Sequence, residues 1–295
     1  MSTRLEVAVG VVLDARGAVL LGQRVAGKAY AGWWEFPGGK IEAGEDAAAA
    51  LARELDEELG LVVQASHPWL VREYSYPHAQ VRLHFRRLFA AWGDWSGEPR
   101  GREGQAFVWQ SLTTPLIEPL LPASLPVFPW LRLPASIPRW RPGLPLDADQ
   151  PRALRDGAPL HLLEEPWRDD AGFEAGVTAA AARLRACGGG LLVSSSVPGH
   201  VARQAGGLIL EPADLRRLDH RPTARWCGAR CREAADVARA DELGLDFVIA
   251  PELGFASALP VYLEAVDAGD PLIDGAVLGA AIRAGAHGMI VRAGA

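Results

Sequence analysis

The densest concentration of chemically capable side chains lies between Gly38 and Leu61. It holds a glycine pair, Gly38-Gly39, the acid Glu45, and then Arg53-Glu54-Leu55-Asp56-Glu57-Glu58. Spacings of three and four set Glu54, Glu57 and Glu58 on one face of a helix. Carboxylates so placed repel by a few tenths of a kcal/mol per exposed pair, and a cation makes the arrangement favourable. All-oxygen donors select a hard ion such as Mg²⁺ or Mn²⁺. Mg²⁺ keeps part of its water shell and shares the rest with substrate phosphates, so the expected substrate is a polyphosphate. Arg53, next to Glu54, is placed to hold a carboxylate through a two-pronged pair. The competing reading of Glu57 and Glu58 alone is a solvated acidic helix face. A Walker-type phosphate loop does not fit, because Lys40 follows Gly39 without the upstream glycine or the Ser/Thr such a loop requires.

Elements must position these groups. Residues 5–13 (LEVAVGVVL) and 18–22 (AVLLG) flank Asp14-Ala15-Arg16-Gly17, which predicts a strand, a tight turn and a second strand. Residues 46–59 hold neither glycine nor proline and are rich in helix formers, and Gly60 stands where that helix closes. Leu61-Val62-Val63 resumes extended chain, and 81–92 and 106–110 are further strand-like runs. From Pro115 to Pro151 prolines come every few residues, which predicts a wrapped tail and an interdomain linker. Beyond it the pattern changes. Apolar runs at 159–165, 190–196, 207–212, 246–251, 259–266 and 287–293 alternate with alanine-rich stretches at 172–187, 199–205, 232–243 and 276–284. Such alternation predicts βα units and a parallel sheet. With Ala224–Cys231 and a first strand near 135–140 the strands number eight, as in a closed barrel. The expected fold is therefore an α+β domain, a mixed sheet with its acidic helix, followed by an α/β barrel of the (βα)8 TIM type. The expected boundaries are 1–132, a Pro-rich linker at 133–150 that includes a candidate first barrel strand, and 151–295.

Composition agrees with two globular domains: 295 residues, 49% hydrophobic and 22% charged. A net charge of −6 gives no basic footprint for a nucleic-acid backbone, so direct DNA or RNA binding is not expected. A small nucleotide held through a metal is compatible with that charge. No apolar run approaches the 18 or so residues that span a bilayer, so no membrane partner is expected, and MSTRLEVAVG lacks a signal-peptide core. Cys187, Cys227 and Cys231, an odd set, read as reduced thiols, and the expected location is cytoplasmic. Lys28 and Lys40 are the only lysines, so everything beyond Lys40 does its chemistry without an ammonium group.

From Gly39 through Glu45, Arg53, Glu54, Leu55, Glu57, Glu58 and Gly60 to Leu61, the chain follows G-x5-E-x7-R-E-U-x-E-E-x-G-U at every fixed position, U being aliphatic. This resembles the signature of the Nudix hydrolases. Trp34-Glu35-Phe36-Pro37-Gly38-Gly39-Lys40-Ile41-Glu42, Arg24, Gly104-Gln105 and Pro122-Ala123 look like the MutT branch, and the resemblance covers about residues 4–132. It implies Mg²⁺-dependent hydrolysis (Mn²⁺ as a substitute) of nucleoside triphosphates to monophosphate and pyrophosphate, with 8-oxo-dGTP and nucleotide-pool sanitation in view. It further implies that Glu54, Glu57, Glu58 and the Gly38 carbonyl bind the metal, joined by Glu103 from the loop Arg102-Glu103-Gly104-Gln105. Arg53 belongs to the same machinery, Glu45 orients the cluster, and either Glu45 or Glu54 helps to deprotonate water. Arg24 and Phe36 are implied to contact the nucleotide, Phe36 by stacking on the base. One position departs. Where the branch reads an oxidised guanine with asparagine after Pro-Ala, this chain has Ser124. One hydroxyl does not reproduce an amide's donor and acceptor, so Ser124 implies a looser base preference.

Residues 135–295 resemble the thiamine-phosphate-synthase/TenI barrel through Ala205-Gly206-Gly207-Leu208-Ile209-Leu210, Leu259-Pro260-Val261-Tyr262 and Gly285-Ala286-His287-Gly288. The family's chemistry is missing. His161-Leu162-Leu163-Glu164-Glu165-Pro166 replaces a Gln-Leu-Arg-x-Lys stretch, Ser194-Ser195-Ser196 an asparagine, and Leu263-Glu264-Ala265-Val266-Asp267 a Gly-Gly phosphate loop. Acids there repel a pyrophosphate, with Arg168 and Arg283 as the candidate compensating charges. A barrel without catalysis is therefore expected. The alternatives are a retained thiamine-related synthase and a module that binds an unknown ligand and regulates the hydrolase.

Overall fold

In this computed structural model, which describes residues 4–144, 146, 159–164, 167–168, 170–254, 256–264 and 275–291, the chain divides into two units, Met1–Leu131 and Arg132–Ala295. The first unit runs β1 (Leu5–Leu13), β2 (Val19–Gln23), β3 (Trp34–Glu35), β4 (Gly38–Lys40), α1 (Ala47–Leu59) and β5 (Val62–Val63). It continues with β6 (His67–Tyr76), β7 (Ala79–Phe89), β8 (Trp95–Ser96), β9 (Phe107–Gln110) and α2 (Val127–Leu131). The main sheet has the order β3-β2-β1-β7-β6, with β4 also on β1 and β9 on β2. It is mixed: β1 and β7 are parallel in register from Leu5↔Val81 to Leu13↔Phe89, while β1–β4 and β6–β7 are antiparallel. β5 and β8 form a separate ribbon.

α1 forms where predicted. Asp46 caps it by accepting from the N–H groups of Ala48 and Ala49, and Gly60 ends it at φ 70°, a left-handed conformation that glycine adopts without strain. Ala50, Leu51, Leu55 and Leu59 pack on Ala8 and Val12 of β1, Leu20 of β2 and Leu88 of β7. Each fully buried leucine contributes about 2 kcal/mol, so this face fixes the helix on the sheet and turns Glu54, Glu57 and Glu58 away from the core.

The second unit runs β10 (Ser136–Trp140), β11 (Leu160–Leu163), α3 (Ala171–Ala186), β12 (Gly190–Ser194), α4 (Gly199–Ala205), β13 (Gly206–Leu210) and α5 (Pro212–Leu215). Then come β14 (Trp226–Arg230), α6 (Ala234–Glu242), β15 (Phe247–Ala250), β16 (Val261–Glu264), α7 (Gly275–Ala284) and β17 (Gly288–Val291). All eight strands are parallel and close into a barrel, β17 returning to β10 through Ser136↔Met289, Ile137↔Ile290 and Pro138↔Val291. The Pro-rich region is thus more structured than a tail, since it supplies α2 and a barrel strand containing Pro138. A strand residue directs its N–H to one neighbour only, so one proline removes one ladder bond.

Charges meet at the C-terminal ends of the barrel strands. Arg139 donates to Glu264 at 2.5 Å, Arg230 donates to the same carboxylate, Arg230 Nε lies 3.3 Å from Glu211, and Ser194 Oγ donates to Glu211 at 3.0 Å. Glu264 and Glu211 are thus paired with Arg139 and Arg230, and Arg141 Nε lies 3.8 Å from Glu164, whereas Arg168 and Arg283 are exposed. Glu165 and Asp267 lie outside the described residues.

Candidate active site

The outward face of α1 is organised by one guanidinium. Arg53 donates to Glu45 twice (Nε 2.9 Å, Nη2 3.0 Å), to Glu54 (2.9 Å), to Glu57 (3.3 Å) and to the Lys40 carbonyl (3.1 Å). Its hydrogen bonds to Glu45 and Glu54 hold Arg53 firmly in its charged form, and Arg53 in turn keeps the Glu45 carboxyl below its ordinary range. Only a planar fork with five donors makes all these contacts at once.

The glycine pair has an equally local cause. A Cβ on Gly39 would lie 2.1 Å from the Glu54 carboxyl carbon, and one on Gly38 would lie 2.1 Å from the Ala8 carbonyl oxygen. β4 therefore runs directly against Glu54 while pairing with β1 through Ala8↔Gly39. Glu58 is partly buried. Burial pushes its carboxyl up to about 7, aided by repulsion from Glu54, Glu103 and Glu35 and opposed by Lys28.

Glu103 comes from a loop tied to the end of α1. Gln105 accepts the Glu103 N–H at 2.9 Å and donates to the Glu58 carbonyl at 2.8 Å, while Arg102 donates to the Asp56 carbonyl at 2.8 Å. An open cleft of about 350 Å³, open solvent included, is walled by Arg24, Lys28, Glu35, Phe36, Glu58 and Glu103, with Gly38 at its side. Arg24 pairs with Glu35 at 2.6 Å and donates to the Ala29 carbonyl. Burial raises the Glu35 carboxyl against the pull of Arg24.

The remaining sites of the base and metal reading are placed as follows. Phe36 lines the cleft, yet it is only 3% exposed, its ring stacked on Phe128 at 5.2 Å and edge-on to Phe85. Ser124 is not part of that wall; it is buried, with its N–H donating to the Leu121 carbonyl. Sequence reasoning missed an aromatic group in which Tyr30 meets Trp33 (5.2 Å), Tyr76 (5.5 Å) and His78 (5.9 Å). It also missed Glu35 as the partner of Arg24 and Lys28 as the partner of Glu103. The scarcity of lysine was the available signal for Lys28.

Among the described residues, no three Asp, Glu, His or Cys side chains converge as a ready ion site. Glu45, Glu54 and Glu57 are turned to Arg53, and Glu103 to Lys28. The donor set still suits a divalent ion. It is all hard oxygen, the glycine pair leaves room for main chain against Glu54, and Glu58 and Glu103 bring carboxyls to one cleft.

Comparison with known proteins identifies the family to which this acidic helix and glycine pair belong. The family model for the NUDIX domain matches residues 3–131. The 8-oxo-dGTP diphosphatase of Haemophilus influenzae is 38% identical over 105 residues, 36% of this chain and 74% of its own length. The 8-oxo-dGTP diphosphatase of Escherichia coli is 36% identical over 129 residues, 44% of this chain and 97% of its own. The CTP pyrophosphohydrolase of Escherichia coli is 39% identical over 127 residues, 40% of this chain and 85% of its own. The chain belongs to the Nudix family, and its first unit is a MutT-type Nudix hydrolase. Such hydrolases generally use divalent metal ions. No helix among the described residues is long and apolar enough to cross a membrane.

Proposed function

We propose that the first unit is a Mg²⁺-dependent pyrophosphohydrolase, converting nucleoside triphosphates, 8-oxo-dGTP among them, to monophosphate and pyrophosphate. The observation that carries this reading is Arg53 gathering Glu45, Glu54 and Glu57 beside a glycine pair built against Glu54. Relatives named as 8-oxo-dGTP diphosphatases support the substrate class. In this reading Glu54, Glu57, Glu58, Glu103 and the Gly38 carbonyl hold the ion. When bound, the ion supplies neutralisation of phosphate oxygens and a more acidic water. Arg53 keeps Glu45 and Glu54 oriented, and one of these two takes the proton of the attacking water on a carboxylate oxygen. A bond forms between the water oxygen and phosphorus while the anhydride linking the α- and β-phosphates breaks. Arg24, Phe36 and Ser124 serve the nucleoside end. Residues 1–132 form the hydrolytic domain; residues 133–150 join it to the barrel and include the barrel's first strand, and residues 151–295 form the rest of a barrel without thiamine-related catalysis.

The test is a panel of natural and oxidised nucleoside triphosphates, CTP included, assayed with Mg²⁺. Pyrophosphate is the expected first product, a chelator abolishes its release, and Glu57→Gln lowers the rate by roughly 10²-fold or more. Orthophosphate as the sole initial product, or activity that survives chelation, overturns the reading.

A further inference from the structure

Lys28 is one of two lysines in the chain, and the acid cluster gives it no task. It lies in the hairpin joining β2 to β3, whose stem is tied by Gly32 N–H to the Arg24 carbonyl (2.8 Å), Arg24 N–H to the Trp33 carbonyl (2.9 Å) and Gln23 Nε2 to the Gly32 carbonyl (2.9 Å). Its Nζ stands 3.4 Å from Glu103 Oε2, with both side chains about half exposed. The Glu103 loop is tied in its turn to α1 through Gln105. Two anchored loops thus bring together an ammonium and an acid 75 positions apart, both on the wall of the cleft that also holds Glu58.

A loose, half-exposed pair contributes little to stability, so holding the loops together does not account for it. An ammonium on a flexible four-carbon stem is a movable point charge, and a phosphate chain is a suitable counter-ion for it. We propose that Lys28 binds the phosphate chain of the nucleotide and that, before the nucleotide arrives, it lies on Glu103 and competes with the divalent cation for that carboxylate. The proposal rests on the hydrolase reading above. Without nucleotide, ammonium and metal ion repel each other over the same acids. A polyphosphate reverses the sign by drawing Lys28 off Glu103, so that cation and nucleotide each tighten the other's binding, as linkage requires.

Two measurements on the full chain test this: Mn²⁺ binding without nucleotide, read from the magnetic-resonance signal of free Mn²⁺, and steady-state pyrophosphate release. Lys28→Gln is expected to bind Mn²⁺ tighter by about two- to fivefold, the scale of removing one nearby exposed like charge. The same variant should raise KM about tenfold with a smaller fall in kcat, as for a contact made equally in ground and transition states. Lys28→Arg keeps both values near wild type. A Lys28→Gln variant with both unchanged makes Lys28 a solvated loop residue and sinks the proposal, and weaker Mn²⁺ binding reduces it to a support for Glu103. If wild type releases pyrophosphate from no nucleotide, the hydrolase reading fails, and the Mn²⁺ comparison alone decides whether Lys28 competes for the acids.

Discussion

Arg53 has five N–H groups and uses each of them, on Glu45, Glu54, Glu57 and the Lys40 carbonyl. The sequence placed Arg53 beside Glu54 and allowed one two-pronged pair; folding turns that fork chiefly onto Glu45, eight positions away. Ser124 carries the sharpest prediction at this scale. It is buried, and one hydroxyl does not reproduce an amide's donor and acceptor. A site that hydrogen-bonds its substrate rejects most strongly the analogue lacking those groups, by about 1–3 kcal/mol for each lost contact. Ser124→Asn is therefore expected to raise the kcat/KM preference for 8-oxo-dGTP over dGTP by roughly tenfold or more. A wild type that already discriminates by several thousandfold, or a variant with no change, contradicts the base-reading role.

At the scale of elements, α1 links core to chemistry: Leu51, Leu55 and Leu59 fix its buried side and the acids occupy the other. Its first turn depends on Asp46, whose carboxyl is held below the ordinary range by the N–H groups of Ala49 and Ala48. A carboxyl lowered by folding stabilises fully above its unfolded value of about 3.9 and loses that effect as pH falls through the folded value. Asp46→Ala should lower the melting temperature of the first unit by about 4 °C at pH 7, with the gap from wild type narrowing as pH falls through the lowered folded value. A gap that stays equal throughout an acid titration removes the carboxylate from the explanation. α1, β1 and the barrel strands were legible because each carries its own periodicity or apolar run. β6 was not: its Pro68, Glu73 and Ser75 blur the alternation, and only pairing with β7, interrupted at Pro68/Leu70, makes it a strand.

For the whole molecule, the barrel was foreseeable from its alternation, and its polar rim was not. Arg139, Arg230, Glu211 and Glu264 neutralise one another at the strand ends, where barrel enzymes place their active sites. Guanidiniums already committed to carboxylates are poor holders of a pyrophosphate leaving group. The full-length chain is expected not to couple a thiazole phosphate to a pyrimidine pyrophosphate, measured as thiamine phosphate formed. Formation above a no-enzyme control restores the synthase alternative.

The sequence by itself determined the acidic helix, its glycine entrance and the βα rhythm of the second half. These are patterns among neighbours, and helix and strand periodicity express them directly. The tertiary structure alone decided that Gly39 lies against Glu54, that Arg24 is bound to Glu35, that Lys28 meets Glu103 across 75 positions and that Arg139 meets Glu264 across 125. Those meetings depend on which strands adjoin and how loops are tied down, and no local spacing records that.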